Sequence, residues 1–159
     1  MDGNEYDNEY ATCARTHASL RAICKNGRTA SVTERLAIAP HAAHDLDEEG
    51  LTRRRASVWR ISTDKLVSSR DARRHVDHLL QLLEGKDDAL AMLKDAGWKF
   101  DIFVFWESKS GHGGPMLGPA MMRRLAELEL EIGFDCYYLD RESEPPEVEG
   151  HPGWRPLKL

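Results

Sequence analysis

From Thr16 the segment THASLRAICK alternates apolar and polar positions, with Ala18, Leu20, Ala22 and Cys24 on one face and Ser19, Arg21 and Lys25 on the other. A period of two predicts a half-buried strand. The same rhythm returns in ASVWRIST (56–63), with Trp59 and Ile61 opposite Val58. In WKFDIFVFWE (98–107), Trp98, Phe100, Ile102, Val104 and Trp106 take one face while Phe103 and Phe105 take the other. Both faces are apolar there, as expected of a central strand. IGFDCYYL (132–139) closes the sheet. A helical rhythm fills the middle, where Ala72, Val76, Leu79, Leu80 and Leu83 recur on one side, with Ser68 or Ser69 as the expected cap. Gly85 interrupts it, and KDDALAMLKDAG resumes with acidic residues in the first turn, where the helix dipole favours them. Two shorter helices are predicted. One spans TASVTERLAI, opened by a Ser31–Glu34 capping box and stopped by Pro40. The other opens at Pro119, with Met122, Leu125 and Leu128 on one side and Arg123, Arg124 and Glu127 elsewhere.

HAAHDLDEEGLTRRR (41–55) reads as a polar loop, and GPMLG (114–118) as a short return strand. The two halves, 16–63 and 98–139, repeat strand, loop, helix, strand. The expected fold is therefore α+β, two strand-helix-strand halves forming a ferredoxin-like sandwich, with a sheet of four to five strands and helices mainly on one face. Residues 1–14 read as a mobile leader, 15–140 as a single domain and 141–159 as an irregular Glu/Pro-rich tail that Trp154 could dock.

Composition narrows the class. Of 159 residues 41% are hydrophobic and 31% charged, which suits a chain with a core. The net charge of −5 gives no long-range attraction for nucleic acid or anionic lipid. Basic clusters at Arg53–Arg55, Arg70 with Arg73 and Arg74, and Arg123–Arg124 lie near acidic residues and read as solvated faces. No window approaches a membrane span and no secretory signal opens the chain. Cys13, Cys24 and Cys136 do not form a disulfide framework, so a reduced cytoplasmic protein is expected.

The chemistry-bearing stretch is FWESKSGHGGPML (105–117). Gly111, Gly113 and Gly114 permit positive φ, and their amides could line an anion-binding nest, but a turn that needs glycine for its geometry alone is the first explanation and a site the second. Glu107 and His112, five residues apart across the turn, could pair as acid and base, but no nucleophile motif accompanies them. Catalytic residues, metal ligands and cofactors are therefore not assigned. His41, His44 and Asp45, or His75 and His78, each offer at most a partial metal set. Trp59, Trp98 and Trp106 read as core or rim aromatics. If exposed beside the loop, Trp106 would anchor a partner. The candidate partner-binding set is Trp106, Glu107, Ser110, Gly111, His112, Gly113 and Gly114.

Ser110, Gly111, Gly113 and Gly114, followed by a helix and then Phe134-Asp135 in a strand, resemble an uncharacterised bacterial family, the domain of unknown function numbered 4279. The resemblance covers about residues 15–139 and implies the fold rather than a chemistry. Members commonly carry Asn where His112 stands, so an imidazole role would not be shared. They also tend to be acidic where this chain has Lys25-Asn26-Gly27-Arg28. The expected function is a small non-catalytic binding protein of the toxin-immunity or regulatory kind, with a protein partner and no nucleic acid or membrane. The alternative is an enzyme acting on a small anionic substrate through Glu107 and His112.

Overall fold

The computed structural model describes residues 5–47 and 55–138. Along them run β1 (Cys13–Cys24), α1 (Thr29–Leu36), β2 (Ala42–His44), β3 (Ser57–Ser62), α2 (Ala72–Leu82), α3 (Asp87–Asp95), β4 (Lys99–Ser108), α4 (Pro119–Glu127) and β5 (Glu131–Tyr138). The strands form one five-stranded mixed sheet in the order β2-β3-β1-β4-β5. An α+β fold with alternating strands was thus correctly expected, and the long helical signal is α2 and α3, separated at Gly85 in the left-handed region.

The ferredoxin-like arrangement is not confirmed, because the halves are wired differently. β1 and β3, which flank α1, are direct antiparallel neighbours. β4 and β5, which flank α4, run parallel, as a strand-helix-strand crossover makes them. The extra step is β2, a three-residue edge strand paired antiparallel with β3 inside the stretch read as a polar loop. It carries no buried residue, so no apolar alternation marks it. Residues 114–118, expected to return as a strand, form none.

Alternation along the strands sorts side chains to two faces. Ala18, Leu20 and Ala22 of β1, Trp59 and Ile61 of β3, and Ile102 and Val104 of β4 all sit in one buried cluster. Val32 and Leu36 of α1, Val76, Leu79 and Leu80 of α2, Leu90 and Leu93 of α3, and Met121 and Leu125 of α4 close over them. Of the helix's two methionines Met121 turns inward with Leu125, and Met122 is half-exposed. The Trp59 indole N–H reaches Thr33 Oγ1 at 3.0 Å, satisfying the one polar atom the ring brings inside.

The helix starts also differ from expectation. α1 begins at Thr29, before the Ser31–Glu34 box, and Asp45 accepts the Thr29 amide at 2.7 Å from across the chain. α2 is capped by Asp71, whose carboxylate accepts the Arg73 amide, while Ser69 Oγ accepts the Asp71 amide. Pro119 does occupy the first turn of α4.

From Glu5 the segment read as a leader lies over the start of α2. Tyr6 donates to Asp77, the Asp7 amide to Asp71, and Arg74 to Asn8. Residues 1–4, Arg53 and Arg54 of the first basic cluster, Leu139, and the tail with Trp154 lie outside the described residues. Among the described residues no helix is long and apolar enough to cross a membrane.

Candidate functional site

β4 delivers its last residue, Ser108, to a fully buried position at the root of the glycine loop. Its hydroxyl donates to the His112 carbonyl at 2.8 Å and accepts the Ser110 amide at 3.3 Å, closing residues 108–112 into a small ring. Residues 10–12 buttress that ring from outside. The Lys109 amide donates to Thr12 O at 2.9 Å and the Tyr10 hydroxyl to Gly114 O at 3.2 Å. Gly111 and Gly113 have φ of 75° and 92°. At Gly113 a Cβ would lie 2.6 Å from Thr12 Oγ1, so glycine is demanded there both by conformation and by space. At Gly114 a Cβ meets nothing within 4 Å.

These contacts use the two loop amides that precede the glycines. Lys109 N and Ser110 N are both turned to internal acceptors. Glu107 and His112 take different partners. Glu107 lies opposite Arg15 in the β1–β4 register and faces its guanidinium at 3.7 Å. His112 Nε2 meets Ser110 Oγ at 3.0 Å on the exposed tip. Trp106 points to the other side of β4 and is completely buried, which removes it from any contact surface of this chain. The tip keeps Gly111, His112 and Gly113 exposed, and Met116 beside them shows 69% of its surface.

Two arrangements were not anticipated from the sequence. The first is a buried polar cluster below β1 and the start of α2. His75 is 1% exposed, with Nε2 at 2.9 Å from the Ser69 carbonyl and Nδ1 at 2.6 Å from Thr63 Oγ1. A carbonyl can only accept, so Nε2 carries the proton and Nδ1 accepts from Thr63. Burial pushes the His75 pKa down, against the Ser69 hydrogen bond. Asp71 is 1% exposed; burial raises its carboxyl, but hydrogen bonds from Arg73 and the Asp7 amide together hold it below the ordinary value. Tyr6 is pushed up to about 12 by burial and by its hydrogen bond to Asp77. Tyr6, Arg74, Asp77, His78 and Gln81 line an open cleft of about 600 Å³. His75, read as half of a metal pair, therefore has both ring nitrogens engaged. His41 is likewise occupied, its Nδ1 accepting the Ser62 amide at 3.0 Å. Among the described residues no three His, Cys, Asp or Glu side chains gather around a point that could hold a metal.

The second is the outer face of the sheet. Phe103 and Phe105, read as a second apolar face, are only half-buried and are overlaid by cations. The Arg21 guanidinium lies 4.3 Å from the Phe103 centroid and grips Asp101 through two hydrogen bonds of 2.7 and 2.8 Å. Arg15 lies 4.9 Å above Phe105, and His17 stacks on the same ring at 4.8 Å. Tyr137 continues the aromatic row on β5 at 5.2 Å from Phe105. Phe103 spreads over Gly133, where a Cβ would come within 2.8 Å of its ring. His17 Nδ1 is buried without a hydrogen-bond partner, and burial lowers the pKa of this ring too.

Comparison with known proteins returns one family. The family model described as Domain of unknown function (DUF4279) matches residues 14–139. No curated protein and no solved structure matches the chain.

Proposed function

The chain belongs to the DUF4279 family, a domain of unknown function, and on that premise we propose that it is a small non-catalytic binding protein of the regulatory or toxin-immunity kind. Its protein partner is met by the glycine loop and the adjoining end of β4. The observation that carries this reading is the Ser108 brace: an exposed tip whose backbone is fixed from within before any ligand arrives. A tip ordered in advance loses little conformational entropy on binding, so more of its contact energy remains as affinity. Met116, exposed beside it, offers an adaptable apolar contact.

The enzyme alternative needs Glu107 to orient His112, and the Arg15 partnership of Glu107 weighs against it. Basic side chains near α2 are spent on carboxylates: Arg70 on Glu9, Arg73 on Asp71, Arg124 on Asp77 and Glu84. That favours a protein over nucleic acid as partner. Cys13, Cys24 and Cys136 are free, in keeping with the reducing cytoplasm as the compartment.

Native mass spectrometry of the chain captured gently from its own cells tests the reading, with Met116→Asp and His112→Ala run alongside. A stoichiometric protein partner that is lost with Met116→Asp is expected. A partner retained by Met116→Asp would place the contact elsewhere. A bound small molecule instead of a protein, lost with His112→Ala, would overturn the reading in favour of an enzyme using Glu107 and His112.

A further inference from the structure

Across the outer face, one row of the sheet runs Arg60, Arg21, Asp101, Glu131 on β3, β1, β4 and β5. Two cations are followed by two anions in strand order. The row above the aromatics repeats the split, with Arg15 on β1 opposite Glu107 on β4. Between these rows His17 and Phe105 stack in register with Asp135 of β5, and Tyr137, beside Glu107 in the upper row, reaches the Phe105 ring at 5.2 Å, so the centre is aromatic and half-exposed. Arg60 and Glu131, at the ends of the first row, are exposed and form no ion pair among the described residues.

A row ordered plus, plus, minus, minus is complementary to itself when reversed. A two-fold axis in the plane of the face, parallel to the strands and above the β1–β4 boundary, performs that reversal. It exchanges β1 with β4 and β3 with β5 while keeping each row over its own counterpart. Arg60 then faces Glu131 of a second copy, Arg21 faces Asp101, Arg15 faces Glu107, and His17 faces Phe105. Strands of the two sheets stay aligned, as in packed sheets generally. An axis across the strands would lay each strand over itself and forgo the charge match.

From this geometry we propose that the outer face is a homodimer interface, its occupant a second copy of this chain. The composition suits it: arginine and aromatic residues are enriched at interface centres. Strands spaced about 4.8 Å apart give the face about 600 Å² per copy, at the lower end of what stable dimers bury. This inference concerns a different surface from the glycine loop and stands or falls separately from the proposed function.

The test is sedimentation velocity of the full chain across a concentration series reaching about 100 μM, with Arg60→Glu, Glu131→Arg and the double variant. Both substituted positions are exposed, so unchanged thermal melts confirm folding. A reversible dimer is expected. Each single reversal sets like charges opposite each other across the axis and is expected to weaken the dimer by about tenfold or more. The double variant restores the pairing with the signs exchanged and is expected to return within about threefold of the parent. A chain that stays monomeric throughout, because its own tail or another protein takes this face, overturns the proposal. So does a dimer indifferent to both reversals, or one that the double variant fails to rescue.

Discussion

The two faces of this sheet are built from the same strands, yet they obey different rules. On the core face Leu20, Trp59, Ile102 and Trp106 are sealed from water, and the polar atom of Trp59 is paired. On the outer face Phe103 and Phe105 are also large, but arginines and a histidine lie over them, and the face remains half-exposed. The core face holds the fold through burial; the outer face arranges charge and aromatic surface in a defined pattern. Interaction surfaces are expected where the second kind of order exists without the first.

The sharpest way to break that comparison uses adjacent residues. Trp59 and Arg60 are neighbours on β3 that point to opposite faces. Trp59→Ala empties the core and should cost about 3–5 kcal/mol. Arg60→Ala should change stability by less than about 0.5 kcal/mol, since an exposed residue outside any special feature rarely matters more. Chemical denaturation of both variants gives the two values. A comparable loss in Arg60→Ala would mean that the outer face also carries the fold.

Gly133 sharpens the comparison from the outer side. The Phe103 ring covers it, so a valine there must displace a ring that is held by Arg21 above. Overpacking of this kind typically costs about 1–3 kcal/mol. Because the face is open to water, the ring has somewhere to go, and the lower half of that range is expected. If the dimer of the outer face forms, Gly133→Val should also weaken it, while the core melts cooperatively as before. A loss as large as that of Trp59→Ala would show the outer aromatics to be as tightly packed as the core.

Much of this was readable in the sequence, and what was not has a physical cause. The alternation in residues 16–24, 56–63, 98–107 and 132–139 marks β1, β3, β4 and β5, because one face of each strand is buried. β2 is too short and too exposed to leave such a trace. Strand direction is set by how α1 with β2, and α4, return the chain, which periodicity does not encode. At the candidate site the need for glycine at 111 and 113 was legible from composition. The burial of Trp106 was predictable from its phase with Ile102 and Val104, which outweighs its nearness to the loop in sequence. The partnership of Glu107 with Arg15 joins residues far apart in the chain, so it follows only from strand register. His75 and Thr63 likewise meet only once α2 packs against β1 and the end of β3.

The smallest expected effect concerns two histidines, one behind the core face and one on the outer face. His75 and His17 both have pKa values lowered from 6.5 by burial. Above that value the ring is neutral in folded and unfolded chains alike, and pH has no purchase. As the pH falls below 6.5 the unfolded chain takes up a proton that the folded ring refuses, so the unfolded state gains and stability declines until the folded ring protonates as well. The sign is therefore destabilisation on acidification, beginning above the carboxylate range in which Asp71 would add its own loss. His75 is sealed, so protonation there puts a charge into a dry site and requires the Thr63 hydroxyl, which now faces Nδ1, to turn its proton to the Ala18 carbonyl at 3.2 Å. His17 lies on a face that water reaches, which softens its contribution. Scanning calorimetry between about pH 7 and about pH 5 should show the melting temperature falling for the parent chain. His75→Gln should flatten most of that slope and His17→Gln little of it. The reverse order would mean that the outer face is the drier environment, as it becomes when a second copy covers it. Repeating the His17→Gln series below and above the dimerisation concentration separates a dry monomer face from one sealed by its partner.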